Sequence, residues 1–161
     1  MKSFNINPAQ IANYFTCTID REAGDSITHL KLQKLMFYAQ SWSLVLFGKT
    51  LFEEDFKAWS HGPVLPSIYE NYKQYGYDTI PVCSCENELT HEVVELLEDI
   101  KSVYGEKSAK YLENLTHSEL PWLEARGGIS IEMRSTTPIS KITMKNFYTK
   151  LHERNTVDEA N

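Results

Sequence analysis

The side chains in this sequence that could bind a metal, move a proton or attack a carbonyl carbon are few and dispersed. Cys83-Ser84-Cys85 with His91 places three soft or borderline ligands within nine residues. Zinc sites typically leave roughly two to four residues between paired cysteines and add a second ligand pair further on, so no metal site is expected here. His29, His61, His91, His117 and His152 are scattered and read as surface or capping residues. Only His61 stands out, because it adjoins the Gly62-Pro63 turn. Glu53-Glu54-Asp55 reads as a solvated acidic rim, or as a contact for a basic partner. No Gly-rich loop runs from a strand into a helix, which removes the phosphate-loop and dinucleotide routes. The residues predict no catalytic constellation, no metal and no cofactor. The enzymatic alternative, a small hydrolase or nucleotide-modifying enzyme, would have to use Asp55, His61 and an acidic partner.

Composition points the same way. A chain of 161 residues, 42% hydrophobic and 24% charged, is long enough to bury one core and has the balance of a globular domain. Its longest apolar stretches, such as Leu44-Val45-Leu46-Phe47, are far short of a membrane span, and Met1-Lys2-Ser3-Phe4 does not open a signal segment. The net charge of −6 disfavours direct nucleic-acid binding and favours solubility or a basic partner. Cys17, Cys83 and Cys85 cannot all pair within one molecule and mark no disulfide framework, so a reducing cytoplasm is expected.

The elements that would position these residues are helices. Asn7-Pro8 signals a helix start, with Ile11, Ala12, Tyr14 and Phe15 as its apolar side. The break at Gly24-Asp25-Ser26 precedes Thr28, which caps a long helix from about His29 to Phe47 closed by Gly48. Leu32, Leu35, Met36, Ala39, Trp42 and Leu46 recur at three-to-four spacing, and Leu30, Phe37, Tyr38, Leu44 and Val45 make the helix apolar nearly all round, which belongs at the centre. The stretch from Phe52 to Trp59 predicts a short extended element, and Gly62-Pro63-Val64-Leu65-Pro66 a restricted turn. A helix over Ser67–Tyr75 follows, then an irregular connection over 78–87. Further helices are expected from Thr90 to Gly105, from Ser108 to about His117, around Trp122, and from Lys141 to Glu153 behind the cap Ser140, with Ile142, Phe147, Tyr148 and Leu151 facing inward. The expected fold is mainly α: one compact domain over residues 1–154 with six or seven helices, one short extended or hairpin element near residues 51–64, and a frayed tail over 155–161.

One segment carries more than periodicity. His29-Leu30-Lys31-Leu32-Gln33-Lys34-Leu35-Met36-Phe37-Tyr38-Ala39-Gln40-Ser41-Trp42, followed by Gly48-Lys49, Leu51-Phe52, Asp55, Ala58-Trp59, Gly62-Pro63-Val64, Pro66 and Tyr69, resembles the Panacea or SocA-like antitoxin domain. The likeness covers residues 4–75, and continues more loosely through Trp122-Leu123-Glu124-Ala125-Arg126 and Pro138-Ile139-Ser140. It implies a helical domain, often encoded on prophages and other mobile elements, that neutralises a cognate protein toxin from an adjacent gene by direct contact. A related role implied by the family is that of an adaptor handing its toxin to a cytoplasmic AAA+ protease. Leu32, Leu35, Tyr38, Ala39 and Trp42 match the long-helix motif, and their spacing assigns them to the core. Gln33, Lys34 and Gln40 either satisfy buried backbone in the turn that follows or reach the surface. Partner contacts are expected from Gln33, Lys34, Asp55, Trp59, His61, Gly62, Pro63, Val64 and Tyr69, because a turn held by Gly and Pro presents side chains with little ordering entropy left to lose.

Overall fold

A computed structural model describes residues 1–24 and 26–160; Asp25 of the expected break and Asn161 of the expected tail lie outside the described residues. Its elements in chain order are β1 (Lys2–Ser3), α1 (Pro8–Thr18), α2 (His29–Phe47), β2 (Lys49–Thr50), β3 (Lys57–Trp59), β4 (Gly62–Val64), α3 (Pro66–Tyr72) with a 3-10 turn over Lys73–Tyr75, α4 (His91–Tyr104), α5 (Ala109–Ser118), α6 (Leu120–Arg126) and α7 (Lys141–Ala160). The helix starts follow cap chemistry. The side chains of Asn7, Thr28 and Ser108 accept from the amides of Ala9, Lys31 and Tyr111, and Ser140 accepts from Thr143, each satisfying an amide that lacks a partner within its helix. Thr90 occupies the corresponding position before α4 without making such a bond.

Helix α2 is the axis of the molecule. Of its 19 residues, 14 are buried, and α1, α3, α4, α5, α7, β2 and β4 all pack on it. Gly48 ends it in the left-handed conformation at φ 65°. Leu32, Leu35, Tyr38 and Ala39 are fully buried and Trp42 is half-buried. Two two-stranded sheets complete the fold: β1 pairs in parallel with β2, and β3 pairs antiparallel with β4 in the register Lys57–Val64, Ala58–Pro63, Trp59–Gly62.

A helix surrounded on all sides still carries polar side chains, and these answer the question that the sequence left open for Gln33 and Gln40. Gln33 accepts from the amide of Leu65 at 2.8 Å and donates to the carbonyl of the same residue at 3.3 Å. Gln40 accepts from the amide of Leu51 at 2.6 Å and donates to the carbonyl of Phe52 at 2.8 Å. The Gln40 carboxamide therefore satisfies a donor and an acceptor of extended chain that has no strand partner there, and Gln33 satisfies the Leu65 amide and adds a third bond to a carbonyl that also accepts from Ile68 and Tyr69 at the start of α3. A second buried polar group lies on the opposite flank: Glu119 receives the hydroxyls of Tyr38 at 2.6 Å and Tyr148 at 3.0 Å. Tyr38 stacks on Tyr104 with ring centroids 4.1 Å apart. Burial raises the Glu119 carboxyl above its usual range while both hydroxyl bonds pull it down.

Four expectations require correction. A disulfide joins Cys17 of α1 to Cys85, with Cα atoms 5.7 Å apart at a sequence separation of 68, leaving Cys83 free and exposed; a pairing this distant in sequence depends on how the connection folds back over α1. Helix α7 continues to Ala160, because no glycine or proline interrupts it, although nothing beyond Leu151 is buried. Ile142 is 66% exposed, and Met144 takes the inward place together with Tyr148 four residues on. Leu46, included in the apolar repeat of α2, is 48% exposed at the last turn.

The carboxamide clamps carry a quantitative expectation. Gln40→Ala strands a buried backbone donor and acceptor, and Gln33→Ala strands the buried amide of Leu65, so they should lower unfolding free energy in urea by about 2–4 and about 1–3 kcal/mol respectively. Asp99→Ala, exposed on α4, should change it by less than about 0.5 kcal/mol. Equal small effects at all three positions would contradict the clamp.

Candidate functional site

The β3–β4 hairpin is held from beneath almost entirely through its backbone. Trp122 of α6 donates its indole N–H to the carbonyl of Trp59 at 2.9 Å. Arg126, one turn further along α6, is 4% exposed and donates to the carbonyl of Ala58 at 3.1 Å. Its second terminal nitrogen donates to Ser130 and Met133 carbonyls at 2.6 and 2.9 Å, which fixes the 127–137 connection beside the hairpin. That connection also accepts from the amide of Ala58 through the Thr137 carbonyl at 3.0 Å. From the other side, Lys34 of α2 donates its ammonium to the carbonyl of Pro63 at 3.3 Å.

Glycine is required at the turn. Gly62 has φ 108°, and a Cβ built there would stand 2.5 Å from Lys34 Cε and 2.9 Å from Thr116 Oγ1. The hairpin thus rests directly on α2 and α5, with no room for a side chain between them.

Between the hairpin, α3 and the 127–137 connection lies a groove of about 580 Å³, lined by Trp59, Ser60, His61, Val64 and Tyr69 on one side and Glu132, Arg134, Ser135 and Thr136 on the other. Trp59 meets Tyr69 edge to face at 4.8 Å. Arg134 and Glu132 are exposed, and neither makes an ion pair among the described residues.

Of the residues expected to contact a partner, Trp59, His61, Val64 and Tyr69 come together in this groove. Gly62 and Pro63 are buried behind it as its support, and Val64 is itself only 6% exposed. Gln33 and Lys34 are 1% and 0% exposed, so neither offers a surface; both hold the backbone that carries the groove. Asp55 is not part of the lining. It accepts from Lys141 Nζ at 2.6 Å, and the same ammonium donates to the Glu53 carbonyl, which pins the start of α7 to the 53–55 segment.

The far wall was not foreseen. Arg126 lies four residues after Trp122, on the same helical face, and that spacing could have marked the pair as a joint support. Glu132, Arg134, Ser135 and Thr136 follow two glycines in irregular chain, where no periodicity indicates which way side chains face.

Beneath the turn sits a group of ionisable side chains. Glu113 of α5, buried, lies 3.4 Å from His61 Nδ1 and 3.5 Å from Lys110 Nζ, and His61 and Lys110 are largely exposed. Burial lowers Lys34 to about 7, with Glu113 acting in the opposite direction. His117 stacks on Trp122 at 4.1 Å and is lowered by its burial. The enzymatic alternative calls for Asp55, His61 and an acidic partner; Glu113 stands beside His61, whereas Asp55 is held by Lys141 and does not join them. Among the described residues no group of three or more His, Cys, Asp or Glu side chains is arranged to hold a metal.

Lys34 makes stability depend on pH. The unfolded chain keeps an ordinary lysine near 10.5 while the folded one is held to about 7, so the unfolded state binds more protons between these values and stability rises with pH across that window. Below the window the cost of burying the ammonium is complete. Lys34→Met removes this dependence, so its melting temperature relative to the parent should be most favourable near pH 6 and decline steadily toward about pH 10. A difference that is flat with pH would show that Lys34 is not held neutral by burial.

A family model described as Antitoxin SocA-like, Panacea domain, matches residues 32–123, more than half of the chain. The match runs from α2 through the hairpin, α3, α4 and α5 into α6, and includes every residue on the hairpin side of the groove. Neither a curated protein nor a solved structure matches the chain. No helix among the described residues is long and apolar enough to cross a membrane.

Proposed function

The chain belongs to the SocA-like antitoxin family with a Panacea domain, and from that premise we propose that it neutralises a cognate protein toxin by direct binding, with the groove beside the hairpin as the contact. The observation that carries the proposal is the backbone support of the hairpin: Trp122, Arg126 and Lys34 fix the chain through its carbonyls, which leaves Trp59, His61 and Tyr69 turned to the groove on a frame that is ordered before binding. Preorganisation of this kind reduces the entropy lost on association, and aromatic residues at the centre of an interface commonly carry most of its energy. The net charge of −6 would speed encounter with a basic toxin.

The test is co-expression with the protein of the adjacent gene, scoring growth and following the level of that protein by immunoblot. Rescue at a constant toxin level is the outcome expected of neutralisation by contact. Rescue with a falling level would instead indicate delivery to a AAA+ protease. Trp59→Ala should weaken binding roughly thirtyfold, the effect of losing about 2 kcal/mol at an interface centre. Arg134→Ala, an exposed substitution that breaks no ion pair among the described residues, should weaken it with the melting temperature unchanged. Full rescue by both folded variants would place the toxin contact elsewhere on the molecule.

A further inference from the structure

We infer that Cys17 and Cys85 form a reversible redox clasp that fastens the connection between α3 and α4 across the seam between α1 and α3. The clasp is independent of the toxin-binding reading. Residues 81–88 are all exposed and contain no helix or strand. At their start, Ile80 is buried and its amide donates to the Ile27 carbonyl at 2.8 Å; past their end, Val93 enters the core on α4. Between these two anchors the strap crosses α1, and three contacts hold it there. The Glu88 amide donates to Gln10 Oε1 at 3.0 Å, Asn13 donates its side-chain amide to the Ser84 carbonyl, and the disulfide joins Cys17 to Cys85. Tyr72 of α3 is hydrogen-bonded with Thr16 of α1 and within electrostatic reach of Cys83 on the strap, so the strap passes near the line where α1 meets α3.

Two of the three contacts are single hydrogen bonds at exposed positions, each contributing modestly where water competes. The covalent link is therefore the contact that decides whether the strap stays down. It is also the one that chemistry can reverse, because Cys85 is exposed and open to a small thiol or disulfide. In closing, the Cys85 thiolate attacks one sulfur of glutathione disulfide and expels a glutathione thiolate. The Cys17 thiolate then attacks Cys85 Sγ of the mixed disulfide and expels the second. Two protein thiols and one glutathione disulfide become one protein disulfide and two glutathione thiols, which carry away the two protons. Excess thiol runs the same steps backward and releases the strap.

The experiment uses the full chain carrying Cys83→Ser, which removes the competing thiol and keeps both clasp residues. The protein is equilibrated with glutathione disulfide or with dithiothreitol and exposed to a glutamyl endopeptidase, and cleavage after Glu86 and Glu88 is followed by mass spectrometry alongside mapping of the Cys17–Cys85 peptide. The reduced protein should be cut at these sites at least about tenfold faster than the oxidised one, as expected for a segment released to local opening. Cys17→Ser in the same background should be cut fast under both conditions. If that variant fails to fold, the reduced Cys83→Ser protein, which keeps both clasp thiols, supplies the open state. Equal cleavage rates in the two redox states, or no Cys17–Cys85 peptide from oxidised folded protein, would overturn the clasp.

Discussion

The arrangement depends on polar side chains buried along α2. A helix packed on every side would ordinarily be purely apolar, but this one must also receive two stretches of extended backbone, around Leu51-Phe52 and around Pro63-Leu65, that have amides and carbonyls to satisfy. Gln40, Gln33 and Lys34 supply those partners from within the helix. Stranding such groups would cost more than the bonds contribute net, so the register of the hairpin segment against the helix is fixed more sharply than apolar packing alone would fix it. Placement of the groove follows: α3 leaves directly from Leu65, and Tyr69 reaches Trp59 because the chain enters α3 where Gln33 holds it.

The opposite flank uses the same device with different groups. Glu119, between α5 and α6, is bonded to a tyrosine of α2 and a tyrosine of α7, and so fastens together three parts of the chain far apart in sequence. The short helix it introduces carries Trp122 and Arg126, which support the hairpin. The hairpin and α3 are tied to α2 through Lys34 and Gln33, α6 to α2 and α7 through Glu119, and the far wall is joined to the hairpin by Arg126 and by the Ala58 amide on the Thr137 carbonyl.

Much of this order is legible in the sequence, and the limits have physical causes. The caps at Asn7, Thr28, Ser108 and Ser140 act within a few residues, so local pattern reveals them. The central position of α2 follows from apolar residues on every face. Gln33 and Lys34 are different: a polar residue inside such a helix is compatible with a surface position or a buried bond, and only the return of the chain at Pro63-Leu65 decides between them. The same holds for Cys17 and Cys85, whose meeting depends on the path of an irregular strap. The extension of α7 to Ala160 was masked by the end of its apolar pattern, although no residue in it stops a helix. The wall made by Glu132, Arg134, Ser135 and Thr136 carries no periodicity at all, and its place is set by Arg126 gripping the carbonyls of Ser130 and Met133.

The grip on the hairpin passes through main-chain carbonyls, and a carbonyl is the same whatever side chain its residue bears. Lys34, Trp122 and Arg126 would hold this turn equally well if the residues at 60 and 61 were others, whereas Gly62 and the gripping residues themselves admit little change. Constancy and variation are thereby assigned to different atoms: the frame is written in the buried helices, and the outward positions are left free to drift. A lineage built on this frame can exchange one partner for another by altering a few outward letters, without having to solve the folding problem again.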